Sequence, residues 1–363
     1  MKYKLYNKIE ILDFNVSSQE LNYVSKSEKL FFRDKVMIEN VSIAGYFLDK
    51  CYFFYGDRTG KKVFNTETKK DIYIGHVSPH YQTYNGREII ANEYVDLITY
   101  EKKLIVLDLI TFSKKTIRKD IDFGVRVRYQ NQLIINIGKT TLKSLSLTSG
   151  TYLWESDLSE YCKILSVSNE PAQGMIRQVF GVWRDKLWVG FDGNQYASLD
   201  FLTGKVLQYF KLEDIDEIFQ EVNALSPYFD GNNGLLCFLE NRIYAEINLN
   251  TLRVERKKNF VTDNTETDWN FSSNTFSESH VYFVATRTSS RFSPNYVGVF
   301  DRATMEVVWS KDLELYKLPP VKNMPARFLA QAPQSDGDKL YVLDTHGTLH
   351  VFEKIEENEY SQA

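Results

Sequence analysis

Residues Ile176–Leu212 read IRQVFGVW (176–183), RDKLWVGF (184–191), Asp192, GNQYASLD (193–200) and FLTGKVLQYFKL (201–212). These are four apolar-rich runs of strand length, separated by turn residues at Arg184-Asp185, Asp192-Gly193 and Phe201–Gly204. Four such runs joined by tight turns predict an antiparallel meander. Asp200 opens the last turn and Gly204 ends it, as the turn's backbone requires.

The same turn recurs at Asn65–Thr68, Asp108–Thr111, Ser146–Ser149, Asn248–Thr251 and Asp301–Thr304. Each opens with a small oxygen-bearing side chain and carries Thr or Ser three positions later. Successive turns lie roughly 40 to 55 residues apart, the period of one four-stranded propeller blade. Eight positions after the opening residue stand Tyr73, Trp154 and Trp309, each placed in a fourth strand. Packing between blades is the plainest use of such an aromatic, so Trp154 and Trp309 are expected to be buried.

A chain of 363 residues, 43% hydrophobic and 14% aromatic, can bury a large core. No linker, charge block or low-complexity run divides it, so one domain over residues 1–363 is expected. The formal charge of -4 argues against nucleic-acid binding, which needs a concentrated basic surface. The opening MKYKLYNKIEILDF has no signal-peptide pattern, and no run reaches membrane-spanning length. Cys51, Cys162 and Cys237 are scattered and suggest no disulfide scaffold. A soluble, cytoplasmic chain is the expectation.

The fold class is therefore all-β, a β-propeller of four-stranded blades. Seven blades are expected, with eight as the rival count. The last unit, ending at Thr348–Glu353, shows three strands, and Lys29–Glu39 (KLFFRDKVMIE) has the length and pattern to supply the fourth. Such a strand would tie the chain ends together and remove an open edge. Eight blades would require residues 1–40 to furnish nearly a whole blade.

The strings YASLDFLTGKVLQYF, LKSLSLTSGTYLWESDL and VGVFDRATMEVVWSKDL resemble the PQQ-like, or quinoprotein-like, β-propeller repeat. In that family's pattern an Asp, a Thr-Gly turn and an outer-strand Trp follow one another. Asp200, Thr203 and Gly204 match it, with Gln208 at the Trp position. Asp301, Thr304 and Trp309 match with Met305 for Gly, and Ser146, Ser149, Gly150 and Trp154 match with two serines. The resemblance implies architecture over about Asn65–Glu353, not an activity. Alcohol-oxidising members bind a quinone and calcium. No local motif here supplies those residues, so no cofactor is expected. The Gly-His and Trp-Asp signature of WD repeats is absent.

No P-loop, nucleophile elbow, dinucleotide fingerprint or spaced zinc motif is present. His76 and His80 lack further ligands nearby and read as ordinary loop histidines. What remains is surface. Connectors from outer to inner strands look long at Gly75–Arg87, Ser159–Met175, Glu213–Ala224, Val261–Asn270 and Glu314–Pro325, and all would emerge on one face. LEDIDEIFQE places Ile215, Ile218 and Phe219 at helical spacing with acids around them. The next connector adds Asp263, Glu266 and Asp268 beside Trp269.

The expected function is a non-enzymatic protein-binding module. Its contacts would be Glu213, Asp216, Glu217, Asp263, Asp268 and Trp269, and its partner a basic protein such as an effector or toxin. The Lys/Asn/Tyr/Phe-rich composition suits a bacterial immunity-like protein. The alternative is an enzyme acting on a glycan or small molecule, which would need two acids in an axial pocket.

Overall fold

Four-stranded antiparallel meanders make up most of the computed structural model. It describes residues 2–17, 20–32, 35–41, 44–48, 51–57, 60–119, 123–165, 170–220, 226–261, 268–287, 293–318, 326–329 and 331–355. The meander legible in the sequence is formed by Ile176–Trp183, Lys186–Phe191, Gln195–Asp200 and Val206–Lys211. In chain order it is the fifth sheet. The second is Tyr46–Leu48, Tyr52–Asp57, Gly60–Asn65 and Lys70–Gly75. The third is Val77–Pro79, Glu88–Tyr94, Lys102–Asp108 and Lys114–Arg118. The fourth runs from Gly124–Tyr129 to Tyr152–Asp157, the sixth from Tyr228–Asp230 to Arg253–Asn259, and the seventh from Asn270–Phe276 to Glu306–Asp312.

The chain ends depart from the expectation. A long strand β1 (Lys2–Ser17) belongs to two meanders at once. Its first part, Lys2–Glu10, pairs with the final strand Thr348–Ile355. Its second part, Ile11–Ser17, pairs with β2 (Glu20–Ser25), followed by β3 (Lys29–Phe32) and β4 (Lys35–Glu39). Lys29–Glu39 is thus a hairpin of the first sheet, and the partner of the last strand is Lys2–Glu10. Four-stranded groups number eight among the described residues, beside a two-stranded hairpin of Lys163–Leu165 and Pro171–Gln173 in the connector before the fifth sheet. An outermost strand faces water along most of its length, so Lys2–Glu10 carries Lys, Asn and Glu and no apolar run. Leu30 and Phe32 are instead buried against Phe47 and Phe53 of the second sheet.

The recurring turn has a local cause. Asp200 Oδ1 accepts the Thr203 N–H at 2.8 Å and the Thr203 hydroxyl at 2.7 Å. Asn65, Asp108, Asn248 and Asp301 accept the equivalent N–H at 2.9, 2.8, 3.2 and 2.8 Å. Short side-chain acceptors therefore fold the turn from within. Its fifth residue is left-handed in each case: Gly150 and Gly204, but also Lys69, Phe112, Leu252 and Met305, with φ between 53° and 57° for the four non-glycines. Its second residue plugs the neighbouring sheet, with Leu109, Leu147, Phe201, Leu249 and Arg302 all buried.

Eight apolar clusters fill the spaces between consecutive sheets, the eighth joining Tyr341, Leu343, Leu349 and Val351 of the last sheet to Ile11 and Phe14 of the first. Trp154 is 8% exposed, and its indole N–H donates to the Phe201 carbonyl of the next sheet at 2.9 Å. Its ring covers Gly204, where a Cβ would lie 2.5 Å from the indole. Trp309 is only part-buried, between Tyr3 and Phe352. Tyr73, at the same repeat position, is 58% exposed and outside this packing.

Candidate partner-binding face

One face of the ring collects the connectors between sheets and the turns between second and third strands. The connector face is richest around the sixth sheet. After Lys211 the chain forms α1 (Leu212–Ile215), then a 3-10 turn at Glu217–Phe219. Leu212 and Phe219 are buried against Trp188, Tyr196 and Phe238, with Ile215 and Ile218 at the cluster's edge. The helical spacing in the sequence therefore seats this segment on the core, though as two short turns and not one helix.

Its acids fall into two kinds. Asp216 is structural. Its carboxylate accepts the Ile218 N–H at 3.0 Å and lies 2.9 Å from Lys257 Nζ on the sixth sheet. Burial opposes ionisation there, but the Lys257 ammonium and the Ile218 N–H outweigh it and hold the carboxyl below its usual range. Glu213 and Glu217 are exposed, Glu213 within 3.5 Å of Lys211.

Asp268 is 4% exposed and lies 3.8 Å from Arg242, so it sits beneath the surface and not on it. Trp269 packs edge-on to Phe283 and Tyr296, with the Arg287 guanidinium 4.9 Å above its ring. Asp263 and Glu266 lie outside the described residues. Of the five proposed contacts that are described, Glu213 and Glu217 are outward-facing carboxylates. The burial of Asp268 was not legible, because its partner Arg242 stands in the turn between the second and third strands of the sixth sheet.

Between this connector and the sixth sheet lies an open groove of about 850 Å³. Glu217, Gln220, Arg242, Lys257, Val261 and Asn270 are among its walls. The sequence offered no signal for it, since its sides come from connectors about 40 residues apart. A second cavity, of about 410 Å³, is lined by Asp13, Asn15, Tyr46, Tyr55, Ser78 and Tyr81, among others. Asp13 is the one carboxylate in its lining, and Asp13 Oδ2 accepts the Ala44 N–H at 2.9 Å.

The most buried charges belong to packing. Arg302 reaches from its turn to Glu246 at 2.9 Å and Asp230 at 3.4 Å, and also donates to the carbonyls of Ser277 and Glu278. Tyr244 and Cys237 complete this lock between the sixth and seventh sheets. Burial pushes the Cys237 thiol up to about 12, which removes it as a nucleophile. Burial also pushes His80 below its ordinary value. Among the described residues no group of three or more His, Cys, Asp or Glu is placed to hold a metal ion. No described helix is long and apolar enough to cross a membrane.

No protein-family model matches the chain, and no curated protein sequence matches it. Among solved structures it is similar to the C-terminal WD40 domain of Sif2 (TM-score 0.57, 12% identity, 98% of this chain and 99% of that one). It is also similar to Sqt1 of Saccharomyces cerevisiae (TM-score 0.53, 11% identity, 98% and 99%) and to the computationally designed Ika8 protein (TM-score 0.54, 14% identity, 97% and 99%). At these identities the likeness is one of fold. The chain is a β-propeller.

Proposed function

We propose that the chain is a non-enzymatic protein-binding propeller that receives its partner on the connector face. The observation that carries this is the open groove of about 850 Å³ between the Leu212–Gln220 connector and the sixth sheet, with Glu213 and Glu217 exposed beside it. Its walls mix apolar, amide and charged side chains, a composition suited to a protein surface. We further infer that the eight strand groups are eight blades of the quinoprotein-like type, closed by Lys2–Glu10. The turn geometry and the Trp154 bond to Phe201 support that assignment. A basic partner, such as an effector held in the cytoplasm of a bacterium, is the variant the two exposed carboxylates favour through steering.

The test is capture of partners from the native host, followed by titration of the purified partner against the Glu213→Lys/Glu217→Lys variant. Binding should weaken at least about tenfold with thermal unfolding unchanged, since both residues are exposed. Unchanged affinity, or mapping of the partner to the face that carries Asp200–Gly204, would overturn the proposal. Asp216→Ala and Asp268→Ala are expected to destabilise the fold, and so serve as contrasts.

A further inference from the structure

The third sheet contains the same tetrapeptide twice. Asp96-Leu97-Ile98-Thr99 joins its second and third strands, and Asp108-Leu109-Ile110-Thr111 joins its third and fourth. Both make the same turn. Asp96 Oδ1 accepts the N–H groups of Ile98 at 2.7 Å and Thr99 at 3.1 Å, and Asp108 Oδ1 accepts those of Ile110 at 2.9 Å and Thr111 at 2.8 Å. Tyr100 and Phe112 follow at left-handed φ of 57°. The side chains fare differently. Leu109 is fully buried between the second and third sheets, whereas Leu97 is 48% and Ile98 89% exposed. Val95, at 59%, and Tyr100, at 72%, extend the same apolar knuckle.

The knuckle is built, not loose. The Val95 N–H donates to the Glu101 carbonyl at 2.8 Å, and the Tyr94 N–H to the carbonyl of His76, in the connector before the third sheet, at 2.9 Å. It therefore stands on the connector face. Four large apolar side chains on one rigid turn exceed the scattered exposure normal for a surface. Their neighbours define what they meet. Lys103 and Lys114 both close on Glu93, at 2.9 and 2.7 Å, and Lys102 lies close enough to His80 to oppose its protonation. Asp96 and the exposed Glu101 remain at the tip. Those two carboxylates at the tip would oppose entry into an anionic lipid surface, and two of the flanking lysines are already held by Glu93. In a two-fold contact centred on the knuckle, Asp96 and Glu101 would lie close to their own mates.

We propose that Val95, Leu97, Ile98 and Tyr100 form an anchor that enters an apolar socket rimmed by cations on a protein partner. It rests on the protein-binding reading and adds a second contact on the same face. A photo-crosslinking amino acid is placed at position 98, at 217 beside the groove, and at 202 in the native host. Leu202 is 67% exposed on the other face and serves as the control. The expected result is one protein adduct shared by 98 and 217 and missing from 202. With that protein purified, Ile98→Asp should weaken binding about thirtyfold or more without changing thermal unfolding, and Glu101→Lys should slow association.

An adduct at 217 alone overturns the anchor and leaves the protein-binding reading standing. An adduct at neither position overturns both. A 98-to-98 adduct of this chain with itself overturns the anchor, as does flotation of the wild type with phosphatidylserine vesicles that Ile98→Asp abolishes. Unchanged affinity of Ile98→Asp for the purified partner does so as well.

Discussion

Trp154 joins two sheets through both its ring and its indole N–H. The ring fills the space over Gly204, whose φ of 71° and 2.5 Å clearance leave no room for a side chain, while the N–H satisfies the Phe201 carbonyl at 2.9 Å. Trp154→Ala should cost about 3 to 5 kcal/mol, because the cavity lies between two rigid sheets. Trp154→Phe should cost about 1 to 3 kcal/mol, keeping most of the ring and stranding the carbonyl. Denaturant unfolding of the two variants separates these contributions. A loss under about 1 kcal/mol for Trp154→Ala would contradict the packing role. The repeat position was legible because Asp, Thr and Gly act through bonds within five residues. Half-buried Trp309 and exposed Tyr73 show that the position alone does not fix burial, which depends on what the next sheet presents.

Strand β1 shows what an element-level reading misses. Its outer part, Lys2–Glu10, is mostly solvated and carries no apolar run, so its pairing with the last strand was not legible from pattern. Its inner part buries Ile11, Phe14 and Ser17, a spacing shifted from strict alternation by the irregularity between Ile11 and Asp13. The three-residue inner strand Val77–Pro79 was absorbed into a connector for a similar reason, since Pro79 and its brevity hide it. Val95–Tyr100, for all its apolar content, continues no strand and is the exposed knuckle. Removal of residues 1–10 should strip the partner of Thr348–Ile355 and take Tyr3 away from the Trp309 ring. Amide exchange should then rise first in residues 339–355, while the fifth sheet, remote in the ring, stays protected. Equal protection of 339–355 in the shortened chain would show that this pairing does not hold the last sheet.

At the scale of the ring, a buried charge network ties the last sheet to Glu10 of β1. Asp344 is 2% exposed, and its carboxylate takes bonds from Arg327 Nε at 2.8 Å, His350 Nε2 at 2.9 Å and the Thr348 N–H at 3.1 Å. Thr348 in turn donates to Glu10 of β1 at 2.6 Å. Burial alone would raise the Asp344 carboxyl, but the donors from His350, Thr348 and Arg327 prevail and bring it down to about 2. A carboxyl held below its unfolded value contributes stability that is complete above that value and vanishes as pH falls through the folded one. Asp344 should therefore supply about 2 kcal/mol near neutral pH, lost between about pH 4 and pH 2. Asp344→Asn removes the titrating group while keeping its size, and leaves Arg327 without its anionic partner. The gap in unfolding free energy between wild type and Asp344→Asn should thus be widest near neutral pH and narrow steadily below about pH 4. Denaturant curves across that range measure it. A gap that stays constant down to about pH 2 would mean that the carboxylate's charge does not hold the last sheet to β1.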